Sequence, residues 1–337
     1  MKGKISRNRT TAEGRVGAAL LPGDRGVEIS FMKVVVTGGA GFIGSNLAGE
    51  LLKKHDVTVV DNLSTGRMDN LDYIRDEIEF IQGSITDLDL LKKAFISADT
   101  VFHQAAIPSV QRSVDNPIVS NEANVDGTLK VLVAARDCGV RKVVYASSSS
   151  VYGDTPTLPK REDMKPNPKS PYAVSKLAGE YYCRVFSEVY GLETACLRYF
   201  NVYGPRQDPK SQYAAVIPRF VTRVLDHEPP VIFGDGTQTR DFTFVKDVVK
   251  ANILAMESEA EGVFNIACGH RVSLNELAGK IMEITGIRLD PIYDKPRPGD
   301  IKDSLADISS ARDKLGYEPE FNLNSGLEGT IKWFQKN

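Results

Sequence analysis

Met32-Lys-Val-Val-Val-Thr-Gly-Gly-Ala-Gly-Phe-Ile-Gly-Ser45 is a short β-branched run that breaks into glycines spaced Gly38-x-x-Gly41-x-x-Gly44. It reads as strand, tight turn and helix, with Phe42, Ile43, Leu47, Leu51 and Leu52 giving the helical period. Each glycine has its own reason: the turn bends sharply, the backbone must approach a diphosphate closely, and the helix packs tightly on its strand. A diphosphate at the helix N-terminus would meet free N–H groups and the positive end of the macrodipole. A second run, Val57–Val60, ends in Asp61, roughly 20 residues beyond the glycines, where a carboxylate accepts both hydroxyls of an adenosine ribose. That carboxylate would repel a 2′-phosphate, and no arginine follows it directly, so the pattern predicts NAD and not NADP.

The 337 residues, 42% hydrophobic and 26% charged, describe a globular chain large enough for one big domain or two smaller ones. A formal charge of -2 gives no basic field, which argues against a nucleic-acid partner. Cys138, Cys183, Cys196 and Cys268 are scattered without a Cys-x-x-Cys pair, as expected of reduced thiols in a cytoplasmic protein. His55, His103, His227 and His270 are far apart, so no metal site is expected and each histidine reads as exposed or locally bonded. No apolar run reaches the ~18 residues of a membrane helix.

Residues 1–31 carry Lys2, Lys4, Arg7, Arg9, Arg15 and Arg25 without sustained periodicity. They are expected to be a flexible extension, foreign or from an upstream start, with Met32 the functional beginning. From there strands are predicted at Ile78–Gln82, Thr100–His103, Lys142–Ser147 and Thr194–Arg198, and helices at Asp87–Phe95, Val119–Cys138 and Pro171–Tyr190. This alternation predicts an α/β fold, a Rossmann-type doubly wound parallel sheet over residues 32–200, with 244–265 returning to it. Residues 201–243 and 266–337, richer in Pro and Gly, would build a smaller mixed lobe. Asp247 is expected to cap the returning helix.

The chemistry should lie in Tyr145-Ala-Ser-Ser-Ser-Ser-Val-Tyr-Gly153 and Ser170-Pro-Tyr-Ala-Val-Ser-Lys176. Ser170 can cap a helix that Pro171 begins, placing Tyr172 in the first turn and Lys176 on the same face one turn later. Lowering a tyrosine from about 10 to about 7 takes roughly 4 kcal/mol of selective phenolate stabilisation. A neighbouring ammonium and an oxidised nicotinamide could supply it.

From Met32 to the C-terminus the chain resembles the extended short-chain dehydrogenases/reductases, and most the UDP-glucose and UDP-N-acetylglucosamine 4-epimerases among them. The matching stretches are Thr37–Gly44, Asp61–Gly66, Asn124–Thr128, Ser148, Tyr172 with Lys176, Arg198–Pro205, Gly234–Phe242 and Arg297–Asp300. The resemblance implies Tyr172 as base, Lys176 on the nicotinamide ribose and Ser148 on the reacting hydroxyl. It implies NAD contacts at Gly38, Gly41, Phe42, Ile43, Gly44, Asp61, Asn62, Ser64, Gly66, Ser84, Ile85, Gln104, Ala105, Ala106, Asn124 and Phe200. Ser84 stands where the family usually has an aspartate near the adenine amine, which predicts a weaker hold there. The implied substrate contacts are Asn201, Arg240 and Arg297 at the diphosphate, Ala215, Val216 and Phe233 at the uracil, and Asp300 at a ribose. Ser109, Ser148, Ser149, Ser150 and Ser304 would face the sugar.

Two positions select the expected reaction. The family's dehydratases and decarboxylases carry acidic residues just after the catalytic Ser or Thr, where this chain has Ser149 and Ser150, so hydride removal and return at C4 is favoured. Ser304 replaces the tyrosine usual in epimerases restricted to UDP-glucose and UDP-galactose, which opens space for an N-acetyl group. UDP-GlcNAc/UDP-GalNAc is therefore the expected pair, with the plain hexoses also possible substrates. The alternatives are a nucleotide-sugar 4,6-dehydratase or reductase, and an NAD-binding regulator without turnover. The resemblance also implies a homodimer through the helices Val119–Cys138 and Pro171–Tyr190.

Overall fold

The computed structural model describes residues 31–209, 215–296 and 301–336. The basic N-terminal stretch through residue 30, and the motif residues Arg297 and Asp300, lie outside them.

Valines 34, 35 and 36 are wholly buried, as a central parallel strand covered on both faces requires. They belong to β1 (Lys33–Thr37). β2 (Asp56–Asp61), β3 (Glu79–Gln82), β4 (Thr100–His103), β5 (Lys142–Ser148) and β6 (Glu193–Tyr199) join it. With the edge strand Gly262–Ile266 the order is 262–266, β6, β5, β4, β1, β2, β3, parallel at every pairing. The period of two sorts the side chains. Val34, Val36, Val57, Val59, Val144 and Leu197 face one cluster, with helix α1 (Phe42–Leu51) and helix Val245–Glu257. Val35, Val60, Val101, Val143 and Cys196 face another, with the helices Leu88–Ala94, Gly127–Asp137 and Pro171–Tyr190. Each buried valine contributes about 1.5–3 kcal/mol relative to exposure. The order reverses between β1 and β4, and the loops after both strands open at that switch point.

Helix Pro171–Tyr190 starts and stops where its residues say: Ser170 Oγ accepts from the Ala173 amide, Pro171 occupies the first turn, and Gly191 closes the end at φ +68°. The predicted helix Val119–Cys138 is instead three pieces, Pro117–Asn121, a π-turn Glu122–Asp126 and Gly127–Asp137. The wider turn carries Asn124, whose Oδ1 accepts from the Ile107 amide and whose Nδ2 donates to Ile107 O and Ser175 Oγ.

A third apolar cluster joins helices Val216–Leu225, Leu274–Thr285 and Leu323–Phe334 around Phe220, Val224, Leu277, Ile281, Leu327 and Ile331. Asp247 does not cap its helix: Phe244 holds that position, and the Asp247 carboxylate accepts from the amides of Glu320 and Phe321. It ties down a segment more than 70 residues away. Among the described residues no helix is long and apolar enough to cross a membrane.

Candidate active site

The glycine turn is built around backbone. Gly38 sits at φ +71°, donates from its amide to Val60 O at 2.7 Å, and leaves no space for a Cβ, which would stand 2.6 Å from the Ala105 backbone. Gly41 precedes α1 without a side-chain cap, so the first-turn amides of Phe42, Ile43 and Gly44 have no capping side chain. Asp61 ends β2 nearly buried, with Oδ2 accepting from Ala40 N at 3.0 Å and Oδ1 from Leu63 N at 2.8 Å. Burial raises its carboxyl, and those two amides pull it back. A Cβ at Gly66 would meet both Asp61 oxygens at 2.8 Å, so Gly66 is small to make room for that carboxylate. Asn62 turns Oδ1 back to the Ser64 amide, shaping the exposed end of the loop. Ser84 Oγ bonds Thr86 Oγ1 and accepts from the Thr86 amide, so its hydroxyl is spent within its own turn.

Several positions at this surface act through their neighbours. The Gln104 amide side chain points away to Tyr199 and Asn252, which leaves backbone beside Gly38. Ala105 and Ala106 follow, half-buried. Ile85 packs against Gly127, and Phe200 is wholly buried beside Tyr152 with its amide on Ile266 O. His103 is buried between Thr37 Oγ1 and Thr128 Oγ1. Because the Thr128 hydroxyl donates to Asn124 O, it accepts from Nε2–H, and Nδ1 accepts from Thr37. Burial and the Lys176 charge push this imidazole down to about 3, so it stays neutral.

At the carboxyl end of β5, Ser148 meets the helix that begins at Pro171. Its hydroxyl accepts from the Ser150 amide and is near enough to the Tyr172 phenol to influence its acidity. Burial raises the phenol above its usual value, and the Ser148 hydroxyl offsets only part of that rise. Lys176 Nζ donates to Ala146 O at 2.8 Å and stands 6.0 Å from the Tyr172 ring centre. Burial pushes this ammonium down to about 8. Ser149 and Ser150 follow on a 3-10 turn, and no bond reaches the buried Ser150 hydroxyl from the described residues. Ser109 caps helix Val110–Asp115 by accepting from the Arg112 amide, and Ser113 of that helix receives the Tyr172 amide.

A cavity of about 250 Å³ is lined by Asn201, Ala215, Val216, Phe233 and Arg240, the five described positions expected at the uracil and diphosphate. Asn201 Nδ2 donates to Asp241 O and lies 3.5 Å from Ser304 Oγ, and the Ser304 amide bonds Thr239 O. The cavity also holds Arg219, which the sequence reading missed; its guanidinium lies 5.4 Å from the Phe233 ring centre. The signal was present in the helical period of Ile217, Phe220, Val221 and Val224, which turns Arg219 off the apolar face.

Comparison with known proteins fits this arrangement. A UDP-glucose 4-epimerase of Mycolicibacterium smegmatis is 42% identical over 310 residues, covering 90% of this chain and 99% of the relative. The solved UDP-N-acetylglucosamine 4-epimerase of Methanobrevibacter ruminantium, in complex with UDP-N-acetylmuramic acid, superposes with a TM-score of 0.89 at 45% identity, covering 91% of this chain and 99% of that one. The UDP-glucose 4-epimerase of Thermotoga maritima, with UDP-glucose, gives 0.87 at 41% identity, covering 90% and 99%. Residues 34–267 match the NAD dependent epimerase/dehydratase family, and the chain belongs to that family.

Proposed function

We propose that this chain is a UDP-sugar 4-epimerase whose preferred pair is UDP-GlcNAc and UDP-GalNAc. The observation that carries the reading is Ser148 at the end of β5, Tyr172 in the first turn of the helix packed there and Lys176 one turn on, its Nζ 6.0 Å from the Tyr172 ring centre, in a chain whose cavity collects Asn201, Phe233 and two arginines. The turn whose Gly38 and Gly44 admit no Cβ, and the amide-held Asp61, fit a dinucleotide. NAD, when bound, supplies the acceptor and donor of the C4 hydride.

Tyr172 takes the O4 proton as C4 is oxidised and returns it after the 4-keto sugar has turned over. Ser148 shares the hydrogen bond at O4. Lys176, charged at neutral pH, stabilises the phenolate and spends one N–H on Ala146 O, which fixes its aim. The hexose must rotate while UDP stays, so binding energy belongs on Asn201, Arg219, Arg240 and Phe233, away from the reacting carbon. Arg297 and Asp300 would complete that hold by family resemblance. Ser149 and Ser150 offer no acid for an elimination at C5, which supports epimerisation over dehydration.

The test is NMR of the purified protein with UDP-GlcNAc and no added cofactor, following the anomeric and H4 signals. UDP-GalNAc should appear; a stable 4-keto signal would replace the reading with a dehydratase. In the same assay Ser304→Tyr should cut UDP-GlcNAc turnover by about tenfold or more while sparing UDP-glucose. Equal loss on both substrates would remove Ser304 as the gate.

The homodimer is part of the same proposal. Val174, Tyr181, Val185 and Val189 form an exposed stripe on helix Pro171–Tyr190, and Val110, Val114, Ile118 and Val119 extend it on the two short helices packed alongside. Sedimentation at micromolar concentration should give a species of twice the chain mass. Only monomer would overturn the pairing.

A further inference from the structure

Below the reacting groups lies a buried ion pair that the chemistry above does not use. Glu180, one turn past Lys176 on helix Pro171–Tyr190, accepts from Arg198 Nε at 2.8 Å and Nη2 at 2.7 Å. Its Oε1 also takes the hydroxyl of Ser147, the residue before Ser148. Arg198 lies on β6, two residues before Phe200, and its guanidinium covers the Tyr152 ring at 4.7 Å. Tyr152 in turn donates to Asn265 on the edge strand. One carboxylate thus grips the strand that presents Ser148, the helix that presents Tyr172 and Lys176, and the strand that leads to Asn201.

We propose that the Glu180–Arg198 pair positions the reacting groups, fixing Ser148, Tyr172 and Lys176 in mutual register. The proposal rests on the epimerase reading and deepens it.

A buried ion pair costs desolvation and is weak evidence of stability in itself, so its place under three reacting side chains needs another explanation. A bidentate fork is stiff in distance and in plane, which suits a positioning role. Among the described residues the charges facing Lys176 are few. On its own helix are Tyr172, Glu180 and Cys183; β5 brings Tyr145, with its ring centre 5.0 Å from Nζ; β4 brings the neutral His103; and Arg198 lies beyond Glu180. Burial disfavours the ammonium, while Cys183 and Glu180 favour it. Loss of the Glu180 charge should therefore let Lys176 deprotonate at lower pH.

The test is kcat and KM against pH for Glu180→Gln, Glu180→Asp and Arg198→Lys, with NAD content measured on each. For E180Q, kcat should fall about 10-fold or more with KM and NAD content within about threefold, and the alkaline limb should move down by about one pH unit. E180D keeps the charge but shortens the reach, so its kcat should fall while its alkaline limb stays at the wild-type position. R198K, which loses the fork, should resemble E180D. A folded E180Q with wild-type kcat and pH profile would overturn the proposal. If E180Q does not fold, wild-type kcat in folded E180D and R198K would overturn it equally. Tyr172→Phe run alongside separates the two failures: turnover retained there sinks the epimerase reading, whereas a dead Y172F beside wild-type-like Glu180 variants sinks only the inference.

Discussion

Tyr172→Phe should lower kcat by about 10³-fold while leaving NAD content, UDP-sugar affinity and melting temperature near wild type. The substitution removes one oxygen and keeps the ring, so packing changes little at this half-buried position. Ser148 retains the Ser150 amide when the phenol is gone, and the Tyr172 backbone still donates to Ser113. No structural route to a large loss therefore exists among these contacts. The loss is chemical: an O4 proton with no acceptor at the moment C4 becomes electron-poor. The variant's initial rate by NMR, with its NAD released and quantified, checks this; a rate within tenfold of wild type would take Tyr172 out of the mechanism. The same geometry shows why the phenol needs help. Burial raises it and Ser148 only partly compensates, so the proposed chemistry calls on the Lys176 ammonium, to which an oxidised nicotinamide would add its own positive charge.

What could be read from the residues follows from how local each signal is. Helix Pro171–Tyr190 and strand Thr100–His103 have the predicted bounds, because a Ser-Pro start, a left-handed glycine end and a short β-branched run are written within the segment itself. The π-turn at Glu122–Asp126 is not local. From it Asn124 bonds Ile107 and Ser175, whose positions depend on two other elements. Asp247 looks like a cap from its position near a helix start, and only the arrival of residues 320 and 321 reveals its use. Gln104 falls at a cofactor position of the family, yet its side chain serves Tyr199 and Asn252 on the far side of the strand, so the residue and its backbone have separate duties. The later helices were hidden by Pro and Gly, although Ser273 and Glu276 spell a capping box and the period of helix Val216–Leu225 is strong.

Gly44→Ala should strip the protein of NAD and lower its stability, whereas Gly41→Ala should lose NAD affinity with little loss of stability. A Cβ on Gly44 would stand 2.2 Å from Gly38 O and 2.8 Å from Gly39 Cα, and these are backbone atoms with nowhere to retreat. Gly38 is fixed on one side by its bond to Val60 O and on the other by the Gly41 amide at 3.1 Å, so relief requires opening the turn or sliding α1 along β1. Overpacking of this kind costs about 1–3 kcal/mol, which in a chain of this size lowers Tm by several degrees, about 2–4 °C per kcal/mol. A Cβ on Gly41 meets only Gly38 O at 3.1 Å and requires no left-handed φ, so the fold can absorb it. The methyl would still stand at the turn where a diphosphate must approach the backbone. Calorimetric melting of cofactor-stripped protein, followed by NAD titration, separates the two effects. Equal melting temperatures for the two variants would mean that Gly44 is small for the ligand and not for the turn, reversing the roles assigned to them here.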